Sequence, residues 1–307
     1  MNRLSRDRFS GAMLGLALGD ALGAPYEGGP LERALWKLIG RTRNGEMRWT
    51  DDTQMSLDLA ESLIDRGRLD QDDLARRFAA GYRWSRGYGP GAAKLLKRIR
   101  RGVSWRDASR CVYPDGSYGN GGAMRAPIIG LYCANDTDVL IEMADASARI
   151  THAHPLGVEG AVLIAAAVGR SLTTTDPREI MRHAGGCCSQ PEFEERIAIA
   201  RQWLEEGSPP PAAEVAKRLG RGVAAVESCV TALYLGLSHL ARPFVELHRC
   251  VAACGGDADT IGAMSGSIWG AVNGATRLPG DLLSRLEQRD RLQRVADALH
   301  HAVFDRG

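Results

Sequence analysis

The sequence predicts an all-α protein, a compact multi-helix bundle built as one domain over residues 1–307. Three observations carry this. No alternating, β-branched run of five residues bounded by turns occurs in the chain. Apolar residues recur at three- and four-residue spacings in one segment after another. The loops between these segments are short and rich in glycine. Length alone fits one large domain or two, and the one Pro-rich stretch, "GSPPPAAEV" at 207–215, reads as a surface connection.

In chain order, the first helix is marked by Gly11, Gly15, Gly19 and Gly23. Thr50-Asp51-Asp52-Thr53 opens the next, whose Met55, Leu59 and Leu63 give it an apolar face. Asp72–Trp84 and Ala92–Arg101 follow. In the second of these, Lys94, Lys97, Arg98 and Arg101 form a wet face opposite Leu95, Leu96 and Ile99. Asp136 is a candidate N-cap for Val139–Ile150. Gly157–Leu172 comes next, then a helix with Asp176 as N-cap and Pro177 at its first position. Phe193–Glu206, Val223–Leu240 and Phe244–Cys254 lead to a second glycine series, Gly262, Gly266, Gly270 and Gly274. Leu292–Val303 completes the set.

The bulk numbers are those of a soluble globular protein: 44% hydrophobic, 25% charged and a formal net charge of +2. Nucleic-acid and membrane-surface proteins usually carry a strong basic excess, so neither partner is expected. Seven cysteines at irregular spacing, with no CxxC pair, predict free thiols in a reducing cytoplasm and neither a disulfide framework nor a zinc site. The opening "MNRLSRDRFS" is too polar for a signal sequence, and the apolar run Gly11–Gly19 stops at Asp20, far short of a membrane span. A cytoplasmic monomer is the expectation.

The two glycine series need an explanation. Glycine inside a helix costs about 1 kcal/mol relative to alanine. Residues four apart share a helix face, so each series is a smooth stripe that another backbone can approach closely. The two helices are therefore predicted to pack on each other or on a shared neighbour. That contact brings the segment Asp20 to Glu27 near Asp257 to Thr260.

Thr50, Asp51 and Asp52 have a local explanation in helix capping and the helix dipole. The segment "CGGDADTIGAMSGS" (254–267) repeats the same parts, with Asp257, Asp259 and Thr260 in a glycine-rich turn opening a helix. Clustered carboxylates repel one another unless protonated or neutralised by cations. An all-oxygen donor set suits Mg²⁺, Mn²⁺ or Ca²⁺, and four aspartates can neutralise two divalent ions. Glu27 lies in a loop whose Gly28-Gly29-Pro30 suggest mobility. The stretch "PDGSYGNGGAMRAP" (114–127) reads as a loop that wraps a ligand with backbone N–H groups, with Gly121 and Gly122 leading into a helix whose N-terminus can hold an anion. Arg125 can pair with a phosphate or with an acid. His152, at a helix entrance, is either structural or a hydrogen-bond donor to a ligand.

Five segments in this order, "GAMLGLALGDALGAPYEG", "WTDDTQM", "GSYGNGGAMRAP", "THAHPLGVEGA" and "GGDADTIGAMSGSIWGA", resemble the ADP-ribosylglycohydrolase family over residues 11–271. The resemblance implies a helical bundle of that type with two Mg²⁺ ions, or Mn²⁺. Thr50, Asp51 and Asp52 match its first ligand motif, and Asp257, Asp259 and Thr260 its second. Glu27 matches a loop acid that reaches the metals in some members. Ser117, Tyr118, Gly119, Asn120, Gly121 and Gly122 match the loop holding the diphosphate and distal ribose, followed by Met124 and Arg125. His152 matches a histidine that contacts bound ADP-ribose. "SYGNGGAMR" is similar to the serine-ADP-ribose hydrolase branch, and the nitrogenase-regulating branch usually has an aspartate where Ser117 stands. "GRGVAAVESCVTALY" (220–234) resembles a segment closing over the adenosine side, with Val223 and Ser228 as candidates there, although Cys229-Val230 replaces the common Val-Pro pair.

The implied activity is hydrolysis of the bond between the distal ribose C1″ and an acceptor side chain, with ADP-ribose and ADP-ribosylated proteins as partners. Asp257 or Glu27 transfers the proton. An arginine-ADP-ribose hydrolase, of dinitrogenase-reductase or toxin-target type, and a non-catalytic ADP-ribose-binding or structural homologue are the competing readings.

Overall fold

The structure is a computed structural model, and it describes residues 5–304. The chain begins with α1 (Arg6–Gly23), α2 (Pro30–Ile39), α3 (Asp51–Arg66), α4 (Gln71–Gly81), α5 (Pro90–Arg100) and α6 (Trp105–Val112). The middle third holds α7 (Pro127–Tyr132), α8 (Thr137–Arg149), α9 (Pro155–Ser171), α10 (Pro177–Gly185) and α11 (Pro191–Glu206). It ends with α12 (Ala212–Arg218), α13 (Ala225–Ser238), α14 (Phe244–Cys254), α15 (Ala258–Asn273), α16 (Gly280–Leu283) and α17 (Arg289–Phe304). Among the described residues, extended pairing is limited to isolated bridges such as Gly119 with Ala224.

Local chemistry sets the helix starts. The predicted caps are in place: Asp136 accepts from the Val139 N–H at 3.1 Å and Asp176 from the Arg178 N–H at 3.0 Å. Asp70 does the same for α4 through the N–H groups of Asp72 and Asp73. Proline occupies the first turn of α5, α7, α9, α10 and α11, where its missing N–H removes no bond.

The centre of the bundle is the pair α1 and α15, each buried on nearly every side. They run antiparallel, glycine against glycine. A Cβ added at Gly11, Gly15 or Gly19 would lie 2.3, 2.3 and 2.0 Å from the carbonyl oxygens of Gly270, Gly266 and Gly262. The reverse holds from the α15 side, where a Cβ at Gly270 would sit 1.9 Å from the Gly11 oxygen. The predicted contact between the two stripes is thus direct, backbone on backbone. The ends of the stripes differ: Gly23 faces Ala258, and Gly274 lies just past α15 in the left-handed region at φ 81°. Around this pair, α3, α9, α13, α14 and α17 form the next layer, and one continuous apolar cluster runs through them.

Several sequence boundaries move. The helix expected over Asp72–Trp84 stops at Gly81, and Trp84 belongs to a separate single turn, because the chain turns extended at Tyr82. Gly121 and Gly122 do not lead into a helix. They form one 3-10 turn, and α7 starts only at Pro127. The helix expected from Val223 begins at Ala225, because the Val223 carbonyl and the Ala225 N–H are engaged by Asn120 and Tyr118. The Pro-rich stretch is exposed but for a half-buried Pro210 up to Pro211, and helical from Ala212. All seven cysteines are free thiols. No helix among the described residues is long and apolar enough to cross a membrane.

Candidate functional site

The N-terminus of α3 carries the first acidic set. Thr50 caps it, its hydroxyl accepting from the Asp52 N–H at 3.3 Å. Asp51 and Asp52 occupy the first turn, so the capping explanation is correct as far as it goes. A third acid reaches the same turn from α1. Asp20, fully buried, accepts from the N–H of Thr50 at 3.0 Å and from the N–H and hydroxyl of Thr53 at 3.1 and 2.5 Å. Asp20 is thus the bracket that fixes α3 on the central pair.

The second set rides on α15, at the end of the glycine seam. Asp257 is the residue before the helix, and Asp259 and Thr260 lie in its first turn. The seam brings the two sets together. The Thr260 hydroxyl donates to Asp52 at 3.2 and 3.3 Å, across 208 residues of sequence. Thr50 also donates to Asp52, at 3.3 Å. One carboxylate oxygen each from Asp20, Asp52 and Asp259 lie within 4.8 Å of one another, as do one each from Glu27, Asp257 and Asp259. Glu27 reaches this cluster from the turn after α1, where it ends a single 3-10 turn at Ala24–Tyr26.

Such an arrangement is electrostatically unfavourable when it holds only protein. Burial raises the proton affinity of Asp52 well above the usual carboxylate range, and Asp20 and Asp51 raise it further. Asp259 is raised by burial and then by Glu27 and Asp257, and Asp51 by burial and then by Glu27 and Asp20. Asp257 is raised by burial against an opposing bond from the Asn120 amide. Asp51, Asp52 and Asp259 are forced towards their protonated forms by desolvation plus like charge, and Asp257 by desolvation, the condition that a bound cation relieves. The surrounding donors are all oxygen, so the residues fit hard divalent ions.

The acids open into a cavity of about 260 Å³. Ser117, Gly119, Asn120, Gly121 and Met124 line it from the middle loop, with His152 and Val223 beside them. The Asn120 amide joins the loop to the acids, donating to Asp257 and to Ser228. His152 packs on the glycines: a Cβ at Gly121 would sit 2.4 Å from its Cε1. Burial, helped by Arg125, pushes the His152 pKa down to about 3, so its imidazole is neutral and its Nδ1 meets the Thr151 hydroxyl at 2.8 Å.

Not every expected residue reaches the cavity. Arg125 does not. It is wholly buried beneath the loop, donating to the Gly121 and Ser147 carbonyls and the Thr151 hydroxyl, with its guanidinium 4.8 Å from the Phe78 ring centre. Among the described residues it pairs with no acid, and it supports the loop from behind. Gly122 is buried against Ala148, and Ser228 is buried behind Asn120. Thr50 donates to Asp52 and is not among the residues lining the space. Tyr118 is 58% exposed, with its ring edge-on to His154.

Sequence reasoning missed one wall. Gly87 and Gly89, between α4 and α5, and Pro90 and Gly91, in the first turn of α5, line the cavity together with Tyr113 and Met55. Its mark in the sequence is "GYGPG" (87–91), as dense in glycine as the loop at 114–127. Asp20 was also missed as a site residue; an acid inside the apolar stretch "GLALGDALG" was its mark.

Comparison with known proteins agrees with this geometry. The family model described as ADP-ribosylglycohydrolase matches residues 1–307. ADP-ribosylhydrolase ARH3 of Gallus gallus is 32% identical, over 95% of this chain and 92% of the relative. ARH3 of Homo sapiens is also 32% identical, over 98% and 95%. A solved structure described as an ADP-ribosylglycohydrolase-related protein complex superposes with a TM-score of 0.71 at 30% identity, covering 97% of this chain and 99% of that one. The acids that the two glycine stripes bring together are thus carried by an enzyme, and the chain belongs to the ADP-ribosylglycohydrolase family of glycosyl hydrolases.

Proposed function

We propose that the protein is a cation-dependent hydrolase that removes ADP-ribose from serine side chains of modified proteins, or from related O-linked compounds, by cleaving the bond at the distal ribose C1″. The observation that carries this is the meeting of two sets of buried acids with the Ser117–Gly121 loop in one cavity. The serine branch is supported by Ser117 in that loop and by the ARH3 relatives.

Asp51, Asp52, Asp257 and Asp259, with Thr50 and Thr260, are the residues that would hold two Mg²⁺ or Mn²⁺ ions. When bound, such ions supply positive charge that orients the distal ribose hydroxyls and a water. The chain's own groups do the rest. The Gly119 and Asn120 N–H groups are taken by the Ser117 hydroxyl and the Val223 carbonyl, so the other N–H groups of the Ser117–Gly121 loop hold the diphosphate, and neutral His152 donates or accepts one hydrogen bond at that end. The carboxylates around the cavity stabilise the positive charge that develops on the sugar ring as the bond breaks. Asp257 or Glu27 transfers the proton between water and the leaving oxygen. The whole chain works as one domain, and its seven free thiols suit a reducing cytoplasm.

The test is release of ADP-ribose from serine- and arginine-modified peptides, each with and without EDTA. Release from the serine peptide that EDTA abolishes is the expected result. Release from the arginine peptide alone, or binding without release from either, overturns the proposal.

A further inference from the structure

The peptide unit joining Trp49 to Thr50 is gripped at both ends. Its N–H donates to both oxygens of Asp20 at 3.0 Å. Its carbonyl accepts from the Arg86 guanidinium at 2.6 Å. Arg86 is itself fixed by a bidentate pair with Glu287, at 2.6 and 2.8 Å, and by the Trp49 ring, whose centre lies 3.6 Å from its guanidinium carbon. Trp49 returns the contact, donating from Nε1 to the Glu287 carbonyl at 3.0 Å. The Arg86 and Glu287 side chains are only 10% and 9% exposed, and Trp49 is fully buried.

A buried ion pair is weak evidence for stability, since an apolar pair of the same volume often does as well. Its use here is directional. A cation on the carbonyl and a carboxylate on the N–H fix the plane and tilt of one peptide, and that peptide precedes Thr50, Asp51 and Asp52. Only a planar fork can stack on Trp49, pair with Glu287 and donate to the carbonyl together; the ammonium of a lysine cannot. The next residue, Gly87, closes against the same acids, its Cβ position 3.7 Å from Asp51 Oδ1.

We infer that Arg86, held by Glu287, is a positioning residue for the first half of the acidic site, acting through the Trp49–Thr50 peptide. This ties the C-terminal segment before α17 to the placement of Asp51 and Asp52 at the start of α3. The inference rests on the cation reading proposed above. The structure contains its own control. Arg291 and Glu61 join α3 to the same C-terminal region at 2.7 Å without touching Trp49.

The experiment measures Mn²⁺ affinity by titration calorimetry on the full chain, and melting temperature in EDTA, for wild type, Arg86→Lys, Glu287→Gln and Glu61→Gln. Partners behind metal ligands typically change affinity about 10–100-fold. Arg86→Lys and Glu287→Gln are expected to weaken Mn²⁺ binding by that factor, with melting temperatures in EDTA close to that of Glu61→Gln, which keeps wild-type affinity. Wild-type affinity in both variants overturns the inference and leaves the cation reading standing. If both variants unfold in EDTA while Glu61→Gln does not, the pair is a stability element and the inference falls. Absence of Mn²⁺ binding by the wild type removes the cation reading and this inference with it.

Discussion

The two halves of the acidic site are mounted in opposite ways. Asp257, Asp259 and Thr260 sit at the end of α15, which lies on α1 with no side chain between the backbones. Asp51 and Asp52 sit on α3, which reaches the same place through polar groups: Asp20 on its N–H groups and Arg86 on the carbonyl before it. The first mount depends on the absence of atoms and the second on the presence of particular ones. The difference teaches where tolerance should lie. A seam of bare backbone accepts no added methyl, whereas a polar bracket can be adjusted by conservative changes that keep the fold and alter the site.

The largest effect should come from the acids themselves. Asp257→Asn with Asp259→Asn should lower kcat/KM at least about 10³-fold, roughly 4 kcal/mol of barrier. Removing charge from the seam half should also have opposite effects on stability with and without metal. Asp259 binds its proton more tightly folded than unfolded, so its ionisation destabilises the fold as pH rises. In EDTA at pH 8 the double variant should therefore melt above wild type. In excess Mn²⁺ the order should reverse, since only the wild type gains about 2.7 kcal/mol at a hundredfold excess over Kd. Parallel melting curves in the two conditions would break the comparison, because the acids would then not be held at the expense of the metal-free fold.

Next in size is the seam. At an ordinary helix position Gly→Ala stabilises by about 1 kcal/mol. At Gly270, where a Cβ would meet the Gly11 carbonyl at 1.9 Å, the sign should invert. Gly270→Ala should cost about 2 kcal/mol or more, a fall of at least roughly 3 °C in melting temperature for a chain of this length. An unchanged or higher melting temperature would show that the two helices can part at no cost.

The smallest expected effect separates acids that await a cation from one that does not. Asp58 lies on α3 below the site, buried, with the Gln54 amide on one oxygen at 2.9 Å and no partner on the other. Burial, chiefly, lifts its pKa to about 7. A carboxyl raised in this way stabilises the fold fully only below its unfolded pKa, and the contribution is lost as pH climbs through about 7. Asp58→Asn should therefore raise the melting temperature by about 1–2 °C at pH 8, on the order of 1 kcal/mol, and by less at pH 5. Differential scanning fluorimetry at both pH values reads this directly, and Mn²⁺ should not change the difference.

Much of this was legible in the chain because periodicity survives without three-dimensional knowledge. Four glycines at a spacing of four announce a face, and two such faces announce a contact. Aspartates repeated beside a threonine at two helix starts announce a cluster. What was not legible depends on direction. Arg125 stands in a loop that looks ready for phosphate, yet its side chain turns inward, because the Ser147 carbonyl and the Thr151 hydroxyl offer it buried acceptors. Val223 is predicted to open a helix, and pairing of its own carbonyl with the Asn120 N–H and of the Ala225 N–H with Tyr118 keeps it outside the helix, 66% exposed at the cavity rim. Arg86 and Glu287 lie 201 residues apart, and no local pattern marks two residues as partners across that separation.

The seam between α1 and α15 also has a consequence in time. The 234 residues between Gly23 and Ala258 must be made before the first helix can meet its complement. At 5–20 residues per second, a ribosome needs roughly 10–50 s for that span. Throughout that interval the nascent α1 carries an almost wholly apolar surface and a bare glycine groove with nothing to lie against. The acidic site can assemble only after that span has been made, and until then the apolar stretch of α1 stays exposed, as a chaperone's client would be.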